Sequence, residues 1–347
     1  MSKINLPVEP QEATKLLLKK LPSRRMKDVM EKRFGLRGGR KYTLEAIGKE
    51  YKITRERVRQ IESEALKHLH KEENIAEFKP LFQAVEAHIK NHGEVMGERE
   101  LLADLSDKKY QKHVVLLLGV NRNFHLLPES EECHERWTVS KEKSGLVEKL
   151  ITGAVKDLGE KTRPVTREEL MEILAKNAKE LLGKEEEGPV LDSYLATSRV
   201  IRTNPYGEYG LATWPTINPR GVKDRAYLVL AKAKKPMHFR EVARAIEKAG
   251  WSKKRAHPQT VHNELIKDNR FVLVGRGMYA LKEWGYEPGA VRDVMLSTMK
   301  GVASPLTKEE VVKLVSEKRL VKPQTILLNL QNRSLFKKTE DGKYTLV

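Results

Sequence analysis

Arg55, Glu56, Arg57, Arg59 and Gln60 could read the edges of base pairs in a duplex. Arginine presents two parallel donors that match O6 and N7 of guanine. Glutamine pairs with N6 and N7 of adenine, and glutamate accepts from N4 of cytosine. On a helix, Arg55, Glu56, Arg59 and Gln60 fall on one face. Thr54, just before them, is a good N-cap, and the open N–H groups of a first helical turn attract phosphate. The same residues also suit a solvated face laced with ion pairs such as Glu56–Arg59.

The elements that must position this set can be read around it. Val58, Ile61, Ala65, Leu66 and Leu69 recur at helical spacing and form an apolar stripe, with Ser63 on the polar side. Thr43 can cap a preceding helix over Leu44–Glu50, in which Leu44, Ile47 and Gly48 face inward and Gly48 allows close approach. Lys52-Ile53 leaves only a short turn, so the two helices make a helix-turn-helix. Upstream, Leu16, Leu17 and Leu18 open a helical stretch that Pro22 interrupts. Ser23 caps a new helix to about Phe34, with Val29, Met30 and Phe34 on roughly one face, and GLRGGRKY reads as a turn.

The run LPSRRMKDVMEKRFGLRGGRKYTLEAIGKEYKITRERVRQIESEALKHL resembles region 4 of the sigma-70 family of bacterial transcription initiation factors. The resemblance rests on RFGL, TLEAIGKE and TRERVRQIE followed by ALKHL. It implies a module that reads the promoter −35 element and touches the β flap of RNA polymerase. Arg55, Glu56, Arg59 and Gln60 would then contact bases and backbone. Arg24 or Arg25 would hold phosphate; the stretch before RFGL is one residue longer than usual, which leaves both open. Ala46 stands where the family tends to have Glu, so Thr43 lacks a capping box. Nothing resembles region 2, the promoter-melting part, so the chain alone is not expected to act as a complete sigma factor.

Composition agrees with a polyanionic partner. Across 347 residues, Lys and Arg exceed Asp and Glu by 18, and the pI is about 9.7. The charge is uneven: net +8 over residues 1–75, −4 over 76–217 and +14 over 218–347. Nucleic acid is therefore expected at the two ends. Aromatics make up only 6 %, which favours small helical domains with Leu, Val, Ile and Ala cores. Cys133 is the sole cysteine, which excludes a disulfide framework and suits a reducing compartment. The first residues lack an apolar core of signal-peptide length, and no run is long enough to span a membrane.

The remainder is a repeat. ERWTVS (135–140), EYGLATW (208–214), GMYALKEW (277–284) and GKYTLV (342–347) end four stretches alike. Each follows a short β-prone run: FHLL (124–127), VIRTN (200–204), FVLVG (271–275) and LFKKT (335–339). Before these lie helical segments at Tyr110–Leu118, Val190–Thr197, Pro258–Lys267 and Pro323–Gln331, and earlier still the amphipathic GERELLADL, TREELMEIL, FREVARAI and TKEEVVKLV. Three helices followed by two strands is the winged-helix plan. The third repeat resembles the HARE-HTH family of winged helices, whose members bind DNA or protein. Residues 220–285 carry net charge +10. The candidates here are Lys253, Lys254 and Arg255 before the third helix, Gln259, Thr260, His262, Asn263 and Lys267 on it, and Arg276 in the wing turn. Val261, Leu265 and Ile266 read as core. In the fourth repeat Lys322, Gln324, Thr325 and Asn329 are weaker candidates. The first two repeats are acidic and read as spacers or partner-binding surfaces.

No enzyme signature is present: no Walker A loop, nucleotide-binding glycine motif, HExxH or nucleophile elbow. His68 and His70 cannot share a ligand face and read as surface residues; Cys133 beside His134 is a poor metal pair. The expected fold is mainly α: a helix-turn-helix over 1–75, then four winged-helix-like units with short β-wings over 76–140, 141–217, 218–286 and 287–347. The expected function is a non-enzymatic, cytoplasmic, nucleoid-associated DNA-binding transcription regulator without cofactor or metal. Its partners are double-stranded DNA and, as the alternative, RNA polymerase core, with no membrane or small-molecule substrate.

Overall fold

A computed structural model describes residues 4–38, 40–251, 255–302 and 304–347. Two compact units divide it: Met1–Arg202 with Tyr209–Ala212, and Thr203–Glu208 with Thr213–Val347. Each is taken by itself.

The first unit opens with α1 (Pro10–Lys19), α2 (Arg24–Phe34), α3 (Leu44–Tyr51) and α4 (Arg55–Leu69). Their boundaries follow local chemistry. Ser23, Thr43 and Thr54 each accept a hydrogen bond from the first turn of the helix they precede. Gly35 ends α2 in the left-handed conformation. Val29, Ile47, Val58 and Ile61 close a small core between α2, α3 and α4. Met30, one residue on, faces a different and larger core.

That larger core joins Leu17, Leu18, Met30, Ala65 and Leu69 to Phe78, Leu117, Phe124 and Trp137. It crosses residue 75 without a break. Beyond a short α5 (Glu72–Ile75) lie α6 (Lys79–Asn91), β1 (Val95–Gly97), α7 (Glu98–Leu105), α8 (Gln111–Val120), β2 (His125–Leu127) and β3 (Arg136–Thr138), with strand order β1-β3-β2. Then follow α9 (Lys141–Lys161), α10 (Arg167–Leu182), α11 (Gly188–Thr197), β4 (Ile201–Thr203) and β5 (Tyr209–Leu211).

The second unit holds α12 (Val222–Ala233), β6 (Met237–His238), α13 (Phe239–Ala249), α14 (Pro258–Lys267), β7 (Phe271–Gly275) and β8 (Met278–Leu281). After these come α15 (Val291–Lys300), α16 (Lys308–Lys318), α17 (Pro323–Leu330), β9 (Phe336–Lys338) and β10 (Tyr344–Leu346). The fold is mainly α, a helix-turn-helix followed by four winged-helix-like units with short antiparallel wings.

The four repeats share a register that the sequence reading did not anticipate. In each, an apolar residue just before the second helix pairs with an aromatic residue of the last strand. The pairs are Met96–Trp137, Val165–Tyr209, Met237–Tyr279 and Leu306–Tyr344. The next residue is the N-cap of that helix: Gly97, Thr166, His238 or Thr307. The last three form capping boxes with Glu169, Glu241 and Glu310. One dipeptide thus ends a strand and starts a helix in every repeat.

Candidate nucleic-acid interface

On α4 the apolar stripe is buried as its periodicity requires: Val58, Ala65 and Leu69 are wholly enclosed and Ile61 nearly so. Thr54, Arg55, Glu56, Arg57, Arg59 and Gln60 are all exposed. Thr54 Oγ1 accepts from Arg57 N at 3.1 Å, which fixes the first turn. The turn before α4 is tight. Lys52 takes a left-handed conformation at φ 53°, and a Cβ at Gly48 would lie 2.7 Å from the Ile53 carbonyl oxygen. Thr43 caps α3 through Ala46 N at 3.1 Å without the missing box partner.

The exposed face is internally paired. Arg59 Nη2 donates to Glu56 Oε1 at 2.6 Å, and Arg57 Nη1 donates to Gln60 Oε1 at 2.9 Å. Arg59 holds the Glu56 carboxyl below its ordinary range, and Glu56 raises the guanidinium in return. Arg33 Nε donates to both Glu62 oxygens at 3.1 Å and its Nη1 to Tyr42 O at 2.9 Å, anchoring α2 to the back of α4. A cleft of about 840 Å³ lies at the start of α2, lined by Arg24, Arg25, Lys27, Asp28, Lys32 and Tyr51 among others. Arg24 and Arg25 are both exposed, and Arg25 stacks 4.9 Å from the Tyr51 ring centre. Lys32 is neutralised by Asp28 and Glu50. Lys27 is a member of this cleft that sequence reasoning missed.

The third helices of the four winged-helix units differ sharply. On α8 only Gly119 is exposed; His113, Val114, Leu116, Leu117, Leu118 and Val120 are buried, partly against α1. On α11 no residue after Pro189 is exposed. Its Ser193 Oγ donates to Val95 O at 2.9 Å and its Tyr194 hydroxyl to Gly93 O at 3.0 Å. Gly93 is left-handed, and a Cβ there would meet the Tyr194 ring and hydroxyl. These two helices, in the acidic part of the chain, are therefore consumed by internal packing.

In the second unit the third helices stay open. Gln259, Thr260, Asn263 and Lys267 are exposed on α14, with Arg255 before it and Arg276 in the wing turn. His262 is half-buried, its ring 4.6 Å from that of Phe239 and 5.8 Å from that of Tyr279. Lys253 and Lys254 lie outside the described residues. Ile266, expected in the core, is 63 % exposed. It follows Gln259 and Asn263 by one and two turns, so it completes their stripe and not that of Val261 and Leu265. On α17, Lys322, Gln324 and Thr325 are exposed and Asn329 is half-buried. The two open helices begin with the same tripeptide, Pro258-Gln259-Thr260 and Pro323-Gln324-Thr325, a signal that was available in the sequence.

The other expected chemistry is differently placed. His68 and His70 are half-buried, not surface residues: a ring nitrogen of His68 lies 3.0 Å from Lys20 O and one of His70 2.7 Å from Val120 O. They seal the end of α4 against α1 and α8. Cys133 is buried, which pushes its thiol up.

Residues 17–71 match the family model of Sigma-70, region 4. Residues 220–284 match that of HARE-HTH, the HTH domain shared by ASXL and restriction endonuclease proteins. The chain is 56 % identical over 45 residues to RNA polymerase sigma factor SigA of Lactococcus lactis subsp. cremoris, covering 13 % of this chain and 12 % of that protein. The same identity, length and shares hold for SigA of Clostridium acetobutylicum. For SigA of Nostoc sp. the identity is 53 % over 47 residues, 14 % of this chain and 12 % of that protein. The chain thus spans about an eighth of the length of these curated relatives. No helix among the described residues is long and apolar enough to cross a membrane.

Proposed function

We propose that this protein is a transcription regulator that binds double-stranded DNA through two modules. The start of α4 enters the major groove of a short, −35-like element, where Arg55, Glu56, Arg57, Arg59 and Gln60 meet base edges and flanking phosphates. Arg24 and Arg25 hold the backbone. In the second unit, α14 offers Gln259, Thr260 and Asn263, while Lys253, Lys254, Arg255 and Arg276 supply phosphate contacts. The observation that carries this reading is the division of α4 into a capped, fully exposed polar face and a fully buried apolar stripe. Two modest sites on one chain add by effective concentration.

The test is selection from random duplexes with the full chain. An enriched motif that Arg59→Ala and Gln60→Ala abolish supports sequence-specific binding; no enriched motif removes that claim.

A second reading, docking on RNA polymerase core through its β flap, is supported by the names of the sigma-factor relatives. The packing narrows how this could occur. Leu17 and Leu18 of α1 and Leu69 of α4 are buried in the core they share with the first winged helix, so docking there would use polar surface. Recovery of core polymerase on the immobilised chain with nuclease present separates the two readings.

A further inference from the structure

His88 and His92 stand one turn apart at the end of α6, and Asp104 faces them from the end of α7. His88 Nε2 lies 3.2 Å from Asp104 Oδ2. One ligand atom from each of the three residues lies within 4.8 Å of the other two. Two ligands on one tetrahedral Zn(II) are about 3.3 Å apart, given bond lengths of about 2.0–2.1 Å. The His88–Asp104 pair already has that spacing, and a small side-chain rotation would bring His92 to it. We propose that His88, His92 and Asp104 form a binding site for a first-row divalent cation of the Zn(II) type, with water completing the coordination.

Three further features separate this cluster from an ordinary histidine–carboxylate hydrogen bond. His92 Nδ1 is 2.8 Å from the His88 carbonyl oxygen. A carbonyl only accepts, so Nδ1 carries the proton and Nε2 is left with the lone pair. Metal-bound histidines are oriented in this way by the hydrogen bond of the other ring nitrogen. Asp104 is only 5 % exposed, so its carboxylate is largely cut off from water. Finally, burial and then the neighbouring His92 hold the His88 imidazole below its ordinary range, despite Asp104. The ring is therefore neutral at neutral pH and cannot supply the positive charge that a buried carboxylate favours. A bound cation would. Two imidazoles and one carboxylate suit Zn(II), Co(II) or Ni(II) better than Mg(II) or Ca(II).

The site ties three elements together. Ile4 N donates to Asp104 O at 3.2 Å, so a cation here would pin the chain around Ile4, α6 and α7 at one point. Binding to the folded state alone stabilises it by mass action.

The full chain, stripped with chelator, is titrated with Co(II) and followed by visible d–d absorption. One equivalent should produce tetrahedral bands that Zn(II) then erases, and Zn(II) should raise the melting temperature by several degrees. His92→Gln alters a half-buried residue at a helix end, and circular dichroism verifies its fold. It should lose the bands at one equivalent, as should Asp104→Asn. His134→Gln, elsewhere on the first unit, should keep them. Absence of bands in the wild-type chain, or equal bands in wild type and His92→Gln, overturns the proposal.

Discussion

Arg59 is held by Glu56 one turn earlier on the exposed face of α4, with Nη2 to Oε1 at 2.6 Å and Nε to Oε2 at 2.9 Å. Both side chains are well exposed, so the pair orients the guanidinium without locking it. To reach a guanine, Arg59 must release Glu56, which is then free to accept from a cytosine. Glu56→Ala should therefore tighten binding to scrambled duplex while narrowing the gap to the selected sequence. Arg59→Ala should weaken the selected sequence about ten- to hundred-fold. Competition binding with both duplexes reads the difference; equal losses on both would count against base readout.

Phosphate contacts behave differently. Arg24→Ala and Arg25→Ala, at the cleft before α2, should weaken all duplexes alike. Each should lower the slope of log affinity against log salt by about one. Titrations over a range of salt concentrations measure this, and an unchanged slope in both variants would remove the cleft from the interface.

Gly48→Ala tests the turn. The added methyl would lie 2.7 Å from the Ile53 carbonyl oxygen, so α3 and α4 must move apart. The larger core of the first unit does not include α3. Helix content measured by circular dichroism should thus change little, while duplex binding through α4 falls at least about tenfold.

The stripe on α14 can be tested by a contrast between adjacent residues. Leu265→Ala, at a site only 1 % exposed, should cost about 2–5 kcal/mol of stability. Ile266→Ala should cost no more than about 0.5 kcal/mol yet weaken duplex binding, because an exposed aliphatic group on a reading helix can contact thymine methyls. Denaturant melts and binding assays on the same two proteins decide it.

Burial, and then the carboxyl of Glu135, push Glu98 up from its ordinary value of 4.5. The folded state therefore holds this proton more tightly than the unfolded chain. Its stabilising contribution is complete below that ordinary value and is lost as pH rises through the folded one. At neutral pH the two carboxylates oppose each other across the start of α7. Glu98→Gln should raise the melting temperature at pH 7, with the gain shrinking as pH falls toward about 4. A gain independent of pH would refute the assignment.

Much of the local structure was legible because its causes are local. Ser23, Thr43 and Thr54 cap the helices they precede, and the stripe Val58–Leu69 is buried as its spacing requires. The strand-to-helix dipeptides, from Met96-Gly97 to Leu306-Thr307, escaped notice because a strand of one to three residues has no period to detect. Ile266 was misjudged because adjacency to Leu265 says little on a helix, where neighbours in sequence point about a quarter-turn apart.

The sequence by itself determined the helix-turn-helix, the recurring three-helix and wing order, and the chemical character of the exposed face of α4. These follow from capping, periodicity and side-chain donors within a few residues. Only the tertiary structure decided which third helices remain open. The α8 sequence, apolar on nearly every side, indicates burial, but not that α1 is what it packs against. For α11, burial depends on Ser193 and Tyr194 meeting the carbonyls of Val95 and Gly93, about a hundred residues away in sequence. A polar side chain can enter a core only where a distant partner satisfies it, and a local pattern carries no record of that partner.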